Sequence, residues 1–132
     1  MFNKLTHFAI YVDDIDRAST FYNEVFNWGY NQAEQPDFLQ ITATDAKEEK
    51  PIGALQHRKY SVASEKVIGL ECTFAVENVE TVIKKVKDAG GEILMPKTEI
   101  PHVGWITKFK DTEGNIICAM QYLDHIQSAM NS

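Results

Sequence analysis

The chain has 132 residues, 44% of them hydrophobic and 24% charged, enough for one hydrophobic core and too few for two ordinary domains. A net charge of −6 with no stretch that concentrates Lys and Arg argues against a nucleic-acid partner, and no apolar run approaches the length of a membrane span. Met1 to Leu5 carries no signal-peptide pattern, and the two cysteines, Cys72 and Cys118, have neither zinc-ribbon nor disulfide-scaffold spacing, so a reducing cytoplasm is expected.

Leu5 to Val12 is rich in β-branched and aromatic residues and reads as a strand. Asp13 and Asp14 then offer side-chain oxygens to cap a helix in which Ile15, Ala18, Phe21, Tyr22, Val25 and Phe26 recur at helical spacing. Three strands follow, near Trp28 to Ala33, Phe38 to Thr44 and Ile52 to Arg58, with a long charged loop over Asp45 to Lys50. The polar run from His57 to Lys66 reads as a connector. Leu70 to Val76 is again a strand, and Glu77 and Asn78 precede a second helix with the stripe Val79, Val82, Val86 and Ala89. Gly90 and Gly91 suit the end of that helix, because glycine adopts the left-handed conformation cheaply. Strands near Glu92 to Pro96, Trp105 to Lys110 and Asn115 to Tyr122 come next, the last two joined by a hairpin turn over Asp111-Thr-Glu-Gly-Asn115. From Leu123 onward a short helix is expected.

The two halves repeat. His7 to Asp16 aligns with Glu71 to Glu80 at an offset of 64 residues, and Ile52 to Gln56 aligns with Ile117 to Gln121 at an offset of 65. The chain is therefore read as a single domain over 1–132: module one at about 4–58, a connector at 59–67, module two at about 68–123 and a tail at 124–132. Strand alternation puts Phe8, Ile10 and Val12 on one face with Cys72, Phe74 and Val76. His7, Ala9, Tyr11, Glu71, Thr73 and Ala75 take the other. The facing of Gln40, Gln56 and Gln121 stays open, Cys72 is expected to pack as a small apolar residue, and Lys84, Lys85 and Lys87 form a solvated helix face.

The strand with His7, then Val12-Asp-Asp14, then Phe21-Tyr-x-x-Val-Phe-x-Trp28 resembles the start of the glyoxalase/bleomycin-resistance/dioxygenase (vicinal oxygen chelate) superfamily. Ala89-Gly-Gly-Glu-Ile93, Met95-Pro-Lys97, Ile100-Pro-His-Val-Gly-Trp105 and Lys110-Asp-Thr-Glu-Gly-Asn115 resemble one glyoxalase-related branch of it. The likeness runs from Leu5 to Tyr122, and its motifs speak to fold far more than to reaction. It implies an α+β fold of two tandem βαβββ modules, with a curved, incompletely closed mixed sheet around a cavity and the helices outside.

In metal-binding relatives two ligands come from the first strand of each module and two from the last. The corresponding residues here are His7, Glu71, Gly53 and Cys118. Gly53 has no side chain and Cys118 suits softer ions, so no metal cofactor is expected; if a divalent zinc, nickel or manganese ion binds, His7, Glu71 and Cys118 are its ligands. The resemblance also places Tyr11, Thr73, Cys118, Trp28, Trp105 and His102 at or beside the ligand pocket, although each tryptophan reads equally as core and His102 as a surface loop. His57 and His125 read as solvated surface.

The function so implied is small-molecule binding at a degraded metal site. The alternative is a lyase, isomerase or dioxygenase using a weakly held metal or Glu71 and His7 as acid and base. Glyoxalase I activity is disfavoured, since in relatives it relies on the full metal quartet. The partners expected are a small-molecule ligand and a second copy of the chain in a homodimer.

Overall fold

The structure, a computed structural model, describes residues 7–32, 36–42, 53–60 and 71–130. The loop expected at 45–50, the connector beyond Tyr60, and the strand-end residues Leu5, Ala33, Thr44, Ile52 and Leu70 lie outside them. The chain divides into two compact units, Met1–Val67 and Ile68–Ser132.

In the first unit β1 (Phe8–Val12), α1 (Ile15–Phe26), β2 (Gly29–Gln32), β3 (Phe38–Thr42) and β4 (Gly53–His57) form a βαβββ module. Its sheet has the order β1-β4-β3-β2, with β1 parallel to β4 and the remaining pairs antiparallel. The Asp14 carboxylate accepts from the Arg17 N–H and caps α1, relieving one of the free donors at the helix start. The helix ends at Asn27, whose φ of 57° is left-handed. Ala18, Phe21, Tyr22 and Val25 turn into the core. His57, expected in the connector, closes β4 opposite Val12, and a 3-10 turn over Arg58–Tyr60 follows.

The second unit repeats the plan with β5 (Cys72–Ala75), α2 (Val79–Asp88), β6 (Glu92–Ile100), β7 (Gly104–Lys110) and β8 (Ile116–Tyr122), then adds α3 (Asp124–Met130). Its sheet order is β5-β8-β7-β6, again with one parallel pair, β5 with β8. Asn78 caps α2 through the Thr81 N–H, and Val79, Val82 and Val86 are its buried face. At the other end Gly90, at φ 95°, lets the Gly91 N–H reach the Val86 carbonyl, a Schellman closure. Lys84, Lys85 and Lys87 are exposed, as the helical stripe requires.

The strand expected to stop at Pro96 continues to Ile100. Proline removes a ladder donor, which an edge strand tolerates, and β6 is the edge; its register shifts between Ile93 and Met95 and again between Met95 and Thr98. The β7–β8 hairpin is organised by Asp111, whose buried carboxylate accepts from the Glu113 and Asn115 backbone N–H groups and from Asn115 Nδ2.

Each sheet thus has one face against its own helix and one face free of it. Phe8 lies on the helix face of the first sheet, its ring 6.5 Å from that of Trp28. In the second sheet Gln121 marks the helix face, because its Oε1 accepts the Val79 N–H of α2.

Candidate ligand-binding site

Side-chain alternation and the strand register assign every position to a face. On the helix-free face of the first sheet, Tyr11 pairs with Gln56, Gln56 with Phe38, and Gln40 with both Ala54 and Asn31. Gln40 and Gln56 therefore share the face of Tyr11, and Gln121 does not share the corresponding face of its own sheet. His7, just before β1, is exposed and follows the parity of Ala9 and Tyr11.

The helix-free face of the second sheet gathers chemistry more densely. Thr73 pairs with Cys118 across the parallel β5–β8 ladder, and Cys118 pairs with Lys108 across the β7–β8 hairpin. Glu71, two residues before Thr73, projects to the same side, and Lys108 Nζ donates to its Oε1 at 3.0 Å. That hydrogen bond, followed by one from the Cys118 thiol, holds the Glu71 carboxyl below the usual carboxylate range. The same contact raises Lys108. Burial, and then the hydrogen bond to Glu71, pushes the Cys118 thiol up to about 11. At neutral pH the group is therefore a carboxylate, an ammonium and a neutral thiol.

Beyond this polar group the same face becomes apolar. Ile106, Cys118 and Met120 form a buried cluster against which Met95, Ile100, Val103 and Tyr122 pack.

Several expected site residues stand elsewhere. Trp28 is 6% exposed and stacks on Tyr22 at 4.8 Å and against Phe26 at 5.2 Å, so it packs among the aromatic residues of the first unit. Trp105 pairs with Gln121 and so takes the helix face; Lys97 Nζ lies 5.4 Å from its ring centre and pairs with Glu80 of α2. His102 sits exposed in the turn between β6 and β7 at φ 69°. Cys72 is half-buried, and its parity with Phe74 puts it on the helix side.

Gly53 also requires correction. It pairs with Phe8, and a Cβ added there would come within 2.7 Å of the Phe8 ring, so the position faces the helix side. Phe8 pairs with Gly53 as Cys72 pairs with Ile117, so the strands repeat at an offset of 64 and the residue equivalent to Cys118 is Ala54. The match at 65 is one residue out of register.

The donor set does not fit a hard divalent ion. Ala54 has no donor, Cys118 is held as a neutral thiol, and an ammonium occupies Glu71. Among the described residues no three His, Cys, Asp or Glu side chains are grouped to hold a metal. Lys108 is the participant that sequence reading missed. The turn at Asp111–Asn115 fixes Lys108 opposite Cys118, a readable signal, but only the β5–β8 pairing brings Glu71 beside them.

Two βαβββ modules, each a four-stranded mixed sheet with a helix on one face, define an α+β architecture. The sequence matches the model of the Glyoxalase/Bleomycin resistance protein/Dioxygenase superfamily over residues 4–119, and the chain belongs to that superfamily. The fold is similar to that of a glyoxalase/bleomycin resistance protein/dioxygenase family enzyme from Burkholderia phytofirmans, at 18% identity and a TM-score of 0.72 over 91% of this chain and 99% of that one. It is similar to TnmS3, an antibiotic binding protein from a Streptomyces species, at 19% identity and a TM-score of 0.66 over 92% and 98% of the two chains. The fosfomycin resistance protein FosX from Mesorhizobium loti gives 15% identity and a TM-score of 0.66 over 97% and 99%. No curated protein matches the sequence. Among the described residues no helix is long and apolar enough to cross a membrane.

Proposed function

We propose that this chain is a small-molecule-binding protein whose ligand lies on the helix-free face of the second sheet. The carrying observation is the joining, on one face, of the cluster Ile106, Cys118 and Met120 to the Glu71–Lys108 pair. Small-molecule sites are mostly apolar with a few placed polar groups, and methionine adapts to irregular ligands. Lys108 keeps two further N–H donors, so a ligand carrying an acceptor oxygen at the end of an apolar body suits the face. Antibiotic binding by TnmS3, on the same fold, supports this reading. Tyr11, Gln40 and Gln56 offer a second polar surface in module one. We further propose that the two modules act as one domain, in a homodimer in the cytoplasm.

An acid–base reaction through Glu71 and His7 is less well supported. A carboxylate held below its ordinary range by an ammonium is a weak base, and a thiol raised to about 11 is a poor nucleophile at neutral pH. The test is a thermal-shift screen against a panel of aromatic antibiotics, followed by amide chemical-shift mapping of each hit. A ligand at about 100 times its Kd should stabilise the protein by roughly 2.7 kcal/mol, with shifts confined to Thr73, Ile106, Lys108 and Met120 and their neighbours. Binding that instead perturbs only the helix face around Trp105 and Gln121 refutes the placement.

A further inference from the structure

We propose that Lys108 keeps divalent metal off this site: its ammonium holds the Glu71 carboxylate that a divalent ion shared by Glu71 and Cys118 would have to take. Cys118 is the direct cross-strand partner of Lys108 on β7 and of Thr73 on β5, and Glu71 follows the parity of Thr73. The four side chains therefore form one tight patch, with Lys108 Nζ 3.0 Å from Glu71 Oε1.

A zinc ion takes carboxylate oxygen at about 2.0–2.2 Å and thiolate sulfur at about 2.3 Å. An ion bound to Glu71 would lie within the reach of the ammonium, and the two like charges repel strongly at such separation. Glu71 would also have to give up its ion pair. One lysine thus competes with the metal for the carboxylate, and it supplies permanently the positive charge that the carboxylate needs. The residue is not needed to build the core: its side chain is 29% exposed at the surface of the sheet. The inference is independent of which small molecule binds, since its readout is metal affinity alone.

The experiment measures zinc affinity of the full chain by competition with a fluorescent chelator at neutral pH, for wild type and three variants. Lys108→Met should bind zinc at least about tenfold more tightly than wild type, the gain expected when a like charge is removed and the Glu71 carboxylate is released. Lys108→Arg, which keeps the charge, should stay at the wild-type affinity. Adding Glu71→Gln to Lys108→Met should abolish the gain, which ties it to this patch. Circular dichroism of each variant confirms that the fold is kept, and Lys108→Arg serves as the internal control for packing. The proposal is overturned if wild type already binds zinc as tightly as Lys108→Met. It is equally overturned if Lys108→Arg gains as much as Lys108→Met, or if the gain survives Glu71→Gln.

Discussion

Glu71 and Lys108 move in their titrations for one shared reason, the hydrogen bond between them on a single patch of sheet. The Glu71 carboxyl is lowered, so whatever stability the ion pair provides is present above the unfolded carboxylate value of about 4.3 and is lost as pH falls through the lower folded value. The Lys108 shift is upward, so its share is intact below about 10.4 and disappears as pH rises through the folded value. Both side chains reach water, so the pair contributes little and less in high salt. Cys118 behaves differently because it is fully buried. Its raised thiol adds stability below the unfolded value of about 8.5, and that stability drains away as pH climbs towards 11. In a Cys72→Ser background, thiolate absorbance should therefore titrate with a midpoint near 11. A midpoint at the free-thiol value of about 8.5 would contradict the burial of Cys118.

Between the helices of the two modules one substitution stands out. α1 buries Phe21 at 1% exposure, edge-on to the Tyr22 ring at 5.1 Å, whereas the repeat-related position on α2 is the exposed Lys85. Phe21→Ala should lower stability by roughly 3–5 kcal/mol, as a large buried ring leaves a void that its neighbours fill only in part. Lys85→Ala should change it by no more than about 0.5 kcal/mol. Urea denaturation of both variants measures the contrast, and equal small effects would mean that α1 does not present Phe21 to the core. The aromatic wedge of Tyr22, Phe26 and Trp28 explains why module one needs the extra ring: its helix packs with stacked aromatics where α2 packs with valines.

For the molecule as a whole, the open question of assembly turns on strand edges. Among the described residues β1 and β2 bound the first sheet, and β5 and β6 the second, and strand edges invite pairing. β6 is nine residues long and carries Leu94 at 43% exposure, yet its bulges and Pro96 blunt simple edge-to-edge pairing. The proposed homodimer should give twice the monomer mass by light scattering at micromolar concentration. A monomer mass under those conditions removes it, and leaves the ligand-binding proposal standing, since the second sheet's face belongs to a single chain.

The order of elements, the caps at Asp14 and Asn78, the Schellman glycine and the turn at Asp111 could all be read from the residues, because each is a local interaction within a few positions. The repeat itself, and with it the βαβββ plan, was equally legible. Register was not. A chance similarity between Gln56 and Gln121 favours an offset of 65, and in a strand a slip of one residue sends every side chain to the opposite face. Only the pairing of Phe8 with Gly53, and of Cys72 with Ile117, shows that Ala54 is the partner position of Cys118. The tryptophans fell to the same uncertainty, since an aromatic at a strand start suits a core as well as a pocket. Lys108 was hidden for a deeper reason: its partner Glu71 lies 37 residues away, and no local pattern brings an ammonium to a carboxylate across two intervening ladders.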